Sequence, residues 1–161
     1  RLAARGLDGL PDHLPNYELQ GTAARYPLAM ISPPARNFLN STFVNVQSLR
    51  NIEGRPVLEI HPDDAEARGI ANDAVVRVFN DRGSYLCHAT VSRRARPGVV
   101  NGLGIWWRKL GLNGTNVNEV TSQALTDLGR APTFYDCLVE VETAGAADAD
   151  MEAGANASTT A

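Results

Sequence analysis

The stretch Val57–Ser92 constrains the fold most, because short β-rich runs alternate in it with residues that favour turns. Its first run, Val57–Ile60, predicts a strand. Pro62 suits the first position of a helix, and the two aspartates after it favour the positive end of the helix dipole. Gly69 is typical of the residue just past a helix end, which often needs a positive φ. The stretch therefore begins as a strand followed by one short helix.

The second half of this stretch predicts a β-hairpin. Residues 74–79 are rich in β-formers, residues 80–83 favour a turn, and residues 84–92 alternate. The alternation places Tyr85, Cys87, Ala89 and Val91 on one face, and Leu86, His88, Thr90 and Ser92 on the other. On this pattern His88 lies at the surface of its strand. Such a unit needs other strands to close over it, so the sequence predicts a small, mainly β barrel with a few short helices.

Further elements are predicted on either side of this stretch. Residues 26–31 and 138–141 are short apolar runs and predict the first and last strands. Two long polar segments, 32–55 and 110–133, separate these strands from the centre. Loops of this length in a compact domain are usually functional or disordered, and the aromatic and aliphatic residues within 38–46 argue against disorder. Their amide and hydroxyl side chains favour a polar ligand with many hydrogen-bonding edges.

The two ends of the chain differ in composition from the middle. Residues 1–25 hold scattered glycines and prolines and predict an extended linker from an upstream domain. Residues 143–161 contain no aromatic residue, Leu, Ile or Val, and predict a disordered tail. The residues between them, 26–142, are predicted to form the single folded domain.

Charge and composition exclude several classes of partner. The formal net charge is −3, and the three carboxylates in residues 143–161 account for all of it. No basic stripe with interleaved aromatic residues occurs, so nucleic acid is not a predicted partner. No apolar run reaches the roughly 20 residues of a membrane span, so membrane insertion is not predicted. Cys87 and Cys137 lie far apart and are interpreted as ordinary buried thiols.

No pattern in the sequence predicts a protein-built metal site or a catalytic residue. His13, His61 and His88 are the only histidines, and they lack the spacing of a zinc motif. His61 directly precedes the helix-starting proline and is interpreted as a helix-entry residue. The adjacent carboxylates Asp63 and Asp64 are explained by the helix dipole, without a catalytic role.

Several segments, taken in order, resemble one known family. They are YPLAMISPPARNFLNSTFVN (26–45), EIHPDDAEARGI (59–70), NDAVVRVFNDRG (72–83), PGVV (97–100), GIWW (104–107) and NVNEVTSQALTDLG (116–129). They resemble the C-terminal cofactor-binding domain of molybdopterin oxidoreductases of the dimethyl sulfoxide reductase family. The order and spacing of the segments carry the resemblance, which extends to about Glu142.

This resemblance implies a fold and a ligand. The fold is a double-psi β-barrel of the aspartate-decarboxylase-like class. The ligand is molybdopterin guanine dinucleotide, with molybdenum or tungsten held by other domains. By position, the resemblance implies cofactor-binding roles for Ser32, Arg36, Asn37, Asn40, Ser41, Thr42, Trp106, Asn116, Asn118 and Thr121. Local turn bonding is the alternative for Ser41 and Thr42, and core packing is the alternative for Trp106.

The same resemblance implies a setting and leaves alternatives open. The expected partners are upstream domains of the same polypeptide and an electron-transfer subunit of the parent enzyme. Apart from the resemblance, the expected compartment is the cytoplasm, with the periplasm as the alternative because a signal could precede Arg1. The isolated domain is expected to be inactive, because the family's metal ligand and iron–sulfur cysteines lie in other domains. One alternative is a non-catalytic double-psi-barrel module that binds a substrate or a protein. Another is a small decarboxylase of the same barrel class, which would need a processed serine. The paired amide-rich loops favour cofactor binding.

Overall fold

The described residues form six strands and three short α-helices. A computed structural model describes residues 3–6, 9–10, 13 and 16–145. The helices are α1 (Tyr17–Gly21), α2 (Gln47–Glu53) and α3 (Pro62–Glu66). The strands are β1 (Leu28–Ile31), β2 (Val57–Ile60), β3 (Val75–Asn80), β4 (Gly83–Val91), β5 (Val99–Leu103) and β6 (Leu138–Thr143). Single 3-10 turns lie at Ala3–Arg5, Arg108–Leu110 and Val117–Glu119.

The six strands close into a barrel in the order β1-β5-β2-β4-β3-β6. β1 pairs with β5 in parallel, and β2 pairs with β4 in parallel. The other four neighbouring pairs are antiparallel. This closed, mainly β barrel with short helices confirms the fold class predicted from the sequence.

The hairpin between β3 and β4 confirms the predicted turn. The side-chain oxygen of Asn80 accepts a hydrogen bond from the Arg82 backbone N–H at 3.0 Å, which closes the turn locally. Asp81, at the tip, accepts from the Arg25 guanidinium at 2.5 and 2.8 Å and from the Tyr26 hydroxyl at 2.7 Å. The bonds from Arg25 and then Tyr26 lower the pKa of Asp81.

The barrel interior is filled by side chains from every strand. The buried set includes Leu28, Met30, Leu58, Ile60, Val76, Val78, Tyr85, Cys87, Ala89, Val100, Val139 and Val141. Cys87 and Cys137 are free, buried thiols, as predicted, and burial raises the pKa of each. Both are therefore protonated at neutral pH and behave as small apolar groups.

Strand β4 is buried on both faces over much of its length. Leu86 and His88, predicted on the outer face, are only 2% and 5% exposed. Leu86 forms an isolated bridge with Leu112, and His88 Nδ1 lies 3.3 Å from the Asp73 carbonyl oxygen. The prediction that His88 lies at the strand surface is therefore wrong, because segments from elsewhere in the chain cover the outer face of β4.

Gly102 in β5 leaves room for a close approach inside the barrel. A Cβ atom there would lie 2.8 Å from the Tyr85 hydroxyl and 3.2 Å from Val117 Cγ2. The missing side chain lets Val117, which lies outside the strands, enter the core. The barrel interior is thereby joined to the segment that follows β5.

The N-terminal segment is not extended throughout, which corrects the prediction that residues 1–25 are extended. Tyr17–Gly21 form α1, and Asn16 caps this helix by accepting from the Glu18 backbone N–H at 2.8 Å. A helix of one turn is too short to show a period in the sequence, which is why the composition of the segment was misleading. Part of the predicted linker lies outside the described residues.

The other predicted boundaries move by a few residues. The segment 32–55 is not an uninterrupted loop, because it contains α2, and β1 begins at Leu28. The tail does not start at Thr143, since Thr143 pairs with Val76 and the Ala144 N–H donates to the Val75 carbonyl at 2.9 Å. Most of the predicted tail, residues 146–161, lies outside the described residues.

The start of α3 confirms the interpretation of His61 as a helix-entry residue. His61 Nδ1 accepts from the Asp63 backbone N–H at 3.2 Å, and Pro62 takes the first helical position. Gly69, beyond the helix, has a φ of 62°, as expected. The imidazole therefore acts as the N-cap acceptor, a role more often filled by Asn or Ser.

We expect His61→Ala to have a free energy of unfolding about 1 kcal/mol below that of His61→Asn. Both variants lose the same buried ring, but Asn keeps an acceptor for the Asp63 N–H. Urea unfolding of the two purified variants measures the difference. Equal stabilities would mean that the cap contributes nothing to α3.

Candidate functional site

A cavity of about 540 Å³ lies where several strands end. Its lining residues are Ser32, Pro34, Asn40, Ile105, Asn118, Thr121, Ser122, Gln123, Leu125, Pro132, Phe134 and Tyr135. Ser32 follows β1 directly and Ile105 follows β5 closely, and the carboxyl ends of parallel strands meet at one edge. Tyr135 precedes β6, which runs antiparallel to β1 and so starts at that same edge. The topology therefore gathers three separate segments there.

The first wall of the cavity is the loop that follows β1. Gly104 fixes this loop to the end of β5, since its N–H donates to the Pro33 carbonyl at 3.1 Å. Its carbonyl accepts from the Ala35 N–H at 2.5 Å. The loop thus continues the parallel pairing of β1 and β5 by one bridge, between Pro34 and Gly104. Ser32 lies between β1 and this bridge and lines the cavity.

A tight turn presents Asn40 at the cavity. The Thr42 N–H donates to the Leu39 carbonyl at 2.8 Å, and the Leu39 N–H returns a bond to the Thr42 carbonyl at 3.2 Å. Asn40 has a φ of 51°, a left-handed conformation that Asn tolerates better than most residues. The turn explains why this position carries Asn, which lines the cavity.

A second apolar cluster supports this loop. Phe38 and Trp106 pack edge to face with ring centroids 5.2 Å apart, next to Ala35 and Val44. Trp107 Nε1–H donates to the Ser41 carbonyl at 2.8 Å. Trp106 is buried in this cluster and does not line the cavity. The indoles therefore set the position of the first wall through packing.

The second wall is the segment around the 3-10 turn Val117–Glu119. Asn116 caps this turn: its Oδ1 accepts from the Asn118 N–H at 3.0 Å, and its Nδ2 donates to the Trp106 carbonyl at 2.9 Å. Val117 and Val120 are buried in the barrel core. Anchored on both sides by these valines, Asn118 is exposed and lines the cavity.

Two hydroxyls complete the second wall, and both are bonded within the chain. Thr121 Oγ1 donates to the Asn118 carbonyl at 3.2 Å. Ser122 Oγ accepts from the Ala124 N–H at 3.0 Å. Both side chains are buried, so they shape the wall while their polar atoms are already satisfied.

The third wall is an irregular hairpin from which the sequence analysis named no individual site residue. Leu125 and Pro132 form an isolated bridge. Phe134 and Tyr135 follow, with ring centroids 4.5 Å apart, and both rings are partly exposed at the cavity. The signal that could have identified this wall is an aromatic pair directly before the last strand, where burial in the barrel would end.

An ion pair holds the second wall to the rest of the barrel. Arg82 Nε donates to the Val120 carbonyl at 2.7 Å, and Arg82 Nη1 donates to Glu18 Oε1 at 2.6 Å. Burial raises the pKa of the nearby Cys137 thiol, although the Arg82 guanidinium opposes that shift. The cysteine therefore supplies no thiolate at neutral pH. A second ion pair, between Arg108 Nη2 and Glu119 Oε1 at 3.1 Å, is formed at the 3-10 turn of the wall itself.

Four of the ten residues predicted to bind a cofactor line the cavity. They are Ser32, Asn40, Asn118 and Thr121. They come from the two predicted loops, which the structure brings together at one edge of the barrel. The lining also includes Gln123, an exposed amide that the sequence analysis did not single out.

The other six predicted residues lie outside the cavity lining. Asn37 is bonded within the chain, its backbone N–H and Nδ2 both donating to Glu53 Oε1, at 2.5 and 2.7 Å. Arg36 is exposed and has no ion-pair partner among the residues that the structure describes. The remaining four, whose contacts are given above, are Ser41, Thr42, Trp106 and Asn116.

Metal ligands and membrane-spanning helices are the two remaining features that would bear on the site. Among the described residues, no group of three or more His, Cys, Asp or Glu side chains is placed to hold a metal ion. Within the same part of the chain, no helix has the length and apolar character needed to cross a membrane.

Known proteins resemble this chain in both sequence and fold. A family model described as "Molydopterin dinucleotide binding domain" matches residues 28–138. The probable oxidoreductase YoaE of Bacillus subtilis is 38% identical over 135 residues, which are 84% of this chain and 20% of that protein. The dimethyl sulfoxide reductase DmsA of Escherichia coli is 34% identical over 142 residues, covering 84% of this chain and 17% of that protein.

One further sequence relative and one solved structure are also similar to this chain. A protein of Halobacterium salinarum, described as a putative catalytic chain of dimethyl sulfoxide reductase, is 38% identical over 122 residues, 76% of this chain and 14% of that protein. The chain thus spans a fifth or less of the length of these relatives. The acetylene hydratase of Pelobacter acetylenicus shares the fold, with a TM-score of 0.73 at 18% identity over 89% of this chain and 22% of that one. The chain belongs to the molybdopterin dinucleotide-binding domain family found in oxidoreductases of the dimethyl sulfoxide reductase family.

Proposed function

We propose that this chain is the cofactor-holding domain of a larger molybdenum or tungsten oxidoreductase, and that its cavity binds part of molybdopterin guanine dinucleotide. The observation that carries the proposal is the cavity itself, where two amide-bearing loops meet at one edge of the barrel. Its volume of about 540 Å³ falls in the usual range for small-molecule sites.

The polar groups of the lining suit a ligand with many hydrogen-bonding edges. The side chains of Ser32, Asn40, Asn118 and Gln123 form no hydrogen bond within the described part of the chain. An amide offers both donors and an acceptor, which matches the edges of a pterin or a guanine. Within the cavity, we therefore expect these four residues to bind the pterin or guanine part of the cofactor directly.

The apolar part of the lining suits planar rings. Phe134 and Tyr135 present aromatic surface next to Leu125 on the third wall. Aromatic faces stack on flat heterocycles and exclude water from their edges. A cavity with amides on two walls and aromatic groups on the third thus fits a bicyclic ligand better than it fits a simple anion.

Arg36 supplies the charge that a dinucleotide needs. Its exposed guanidinium lies in the first loop and has no ion-pair partner in the described ranges. A guanidinium binds phosphate oxygens through two parallel hydrogen bonds. We therefore expect Arg36 to bind the diphosphate that joins the pterin and the nucleotide.

This arrangement assigns different roles to the cofactor, to this chain and to the rest of the polypeptide. When bound, the cofactor supplies redox or oxygen-atom chemistry at its metal, and this chain supplies placement and electrostatics. The larger share of the polypeptide, absent from this chain by comparison with its relatives, would hold the metal and select the substrate. On this proposal the chain alone has no oxidoreductase activity.

The remainder of the polypeptide would also cover exposed apolar surface near the cavity. Leu39, Leu125 and Tyr135 are each at least half exposed. Large exposed apolar side chains that cluster around a cavity mark interaction surfaces. This feature would also suit a protein-interaction module, but such a module has no need for the unbonded amides in the lining.

Replacing Asn118 with Leu tests the proposal in the full-length oxidoreductase. We expect about tenfold weaker retention of the cofactor, because a buried cofactor edge would lose its hydrogen-bond partner. The measurements are molybdenum or tungsten content and the fluorescence of the oxidised pterin released from the protein. Asn45→Leu is the matched control, since Asn45 is exposed and does not line the cavity.

The experiment distinguishes failure of the proposed function from failure of the role assigned to Asn118. Absence of a pterin from the unmodified full-length protein would refute the proposed function. Equal cofactor content in the two variants would remove Asn118 from the site.

A further inference from the structure

We propose that Tyr17 in α1 is a positioning residue of the cavity, holding two of its walls together without lining it. This inference rests on the proposed function. It assigns a role at the site to a segment that lies before the residues matched by the family model, which begin at residue 28.

One hydroxyl joins two walls of the cavity. The Tyr17 hydroxyl donates to Ser122 Oγ at 2.5 Å and lies 3.1 Å from Thr133 Oγ1. Ser122 belongs to the second wall, and Thr133 lies beside the aromatic pair of the third wall. Tyr17 is more than 100 positions away from both partners in the sequence, and its side chain belongs to neither wall.

The two partners of Tyr17 converge on one residue of the hairpin. Ser122 Oγ accepts from the Ala124 N–H at 3.0 Å. The Ala124 carbonyl accepts from the Thr133 N–H at 3.2 Å and also lies 3.0 Å from Thr133 Oγ1, whose one proton is shared between that carbonyl and the Tyr17 oxygen. Both backbone groups of Ala124 are thus held by side chains that Tyr17 contacts. Without the Tyr17 hydroxyl, the Ser122 and Thr133 hydroxyls would lose the contact that orients them toward Ala124.

The neighbouring residue fixes α1 in place, so that Tyr17 has a defined position. Glu18 is 6% exposed and accepts from Arg82 Nη1 at 2.6 Å. Its other oxygen accepts from the Leu138 backbone N–H at 3.2 Å. Since Arg82 also donates to the Val120 carbonyl, Glu18 links the helix to the second wall at Val120 and to β6, just after the third wall.

Tyr17 acts through its partners and not by contact with a ligand. Its ring is 43% exposed and is not part of the cavity lining. Removing only the hydroxyl therefore leaves the core intact and changes the restraint on the walls. We expect the walls to open more often and the cofactor to leave faster, while the fold persists.

The experiment compares Tyr17→Phe with Tyr26→Phe in the full-length oxidoreductase loaded with its cofactor. Both changes remove one phenolic hydroxyl, but the Tyr26 hydroxyl donates to Asp81 at the β3–β4 turn, outside the cavity lining. The readouts are the rate of pterin release, followed by fluorescence, and amide hydrogen exchange at Ala124. Neither readout depends on turnover.

We expect Tyr17→Phe to release pterin roughly fivefold faster and to exchange the Ala124 amide faster by a similar factor, the effect of one lost hydrogen bond. Tyr26→Phe should change neither rate. Unchanged pterin release in Tyr17→Phe overturns the inference, even where Ala124 exchange rises, because the hydroxyl would then be merely structural. Equal acceleration in both variants overturns it as well. An unmodified protein without pterin would refute the proposed function, and this inference with it.

Discussion

Replacing Glu18 with Ala is expected to lower the free energy of unfolding by about 3 kcal/mol, the lower end for breaking a buried ion pair. The change removes the partner of Arg82 and the acceptor of the Leu138 backbone N–H. The guanidinium would remain in a half-buried place without a countercharge, and a buried N–H would lose its bond. The lower end applies because the Arg82 side chain is 31% exposed and keeps some contact with water.

The control for this prediction lies next to it in the same helix. Leu19 is 57% exposed, and Leu19→Ala shortens a side chain of α1 without removing an ion pair. We expect that variant to stay within about 0.5 kcal/mol of the unmodified protein. Urea unfolding followed by tryptophan fluorescence measures both variants. Equal stabilities of Glu18→Ala and Leu19→Ala would mean that α1 does not hold the barrel.

The importance of Glu18 shows why the N-terminal segment was misjudged from the sequence. Nothing within residues 1–25 indicates that Glu18 has a partner, because Arg82 follows it by 64 positions. A helix of five residues is marginal without such tertiary contacts. Local composition therefore favoured an extended conformation, whereas the long-range ion pair stabilises a helix at Tyr17–Gly21.

The barrel itself was predictable to the extent that its signals are local. The hairpin of β3 and β4 follows from a turn sequence between two β-rich runs, and α3 follows from its proline and aspartates. The strand order does not follow in this way, because β1 pairs with β5 and β6, which are distant in the sequence. The residues alone predicted a barrel, but only the family resemblance implied its double-psi topology.

Burial on the outer face of β4 also depends on contacts that are distant in the sequence and could not be predicted locally. An alternating strand predicts one buried face, but a segment near Leu112 and the turn at Asp73 cover the other face. The covering segments are themselves polar or irregular. Their position could not be read from a period of two in β4.

For the cavity, residue types could be predicted from the sequence but the individual roles could not. The two amide-rich loops do meet, yet the amide of Asn116 is bonded within the chain while that of Asn118 is not. Which amide a fold uses for its own backbone depends on where the neighbouring carbonyls lie. That information comes only from the packed structure. It predicts different stabilities for variants of Asn116 and Asn118.

Asn116→Leu is expected to lower the free energy of unfolding by about 2 kcal/mol, combining a lost cap with an unpaired carbonyl. Asn116 Oδ1 caps the 3-10 turn through the Asn118 N–H, and Asn116 Nδ2 satisfies the Trp106 carbonyl. Leu can replace neither bond. The loss would loosen both the second wall and the aromatic cluster beneath the first.

The matched variant is Asn118→Leu, two residues away in the same turn. The Asn118 side chain is exposed and makes no hydrogen bond in the part of the chain described, so we expect its stability to change by less than about 0.5 kcal/mol. Thermal or urea unfolding of both variants gives the comparison. A stable Asn116→Leu would show that the cap is dispensable, and an unstable Asn118→Leu would show that its amide supports the fold. With the expected pattern, cofactor loss in Asn118→Leu is assigned to a missing ligand contact, because the wall that presents the residue is intact.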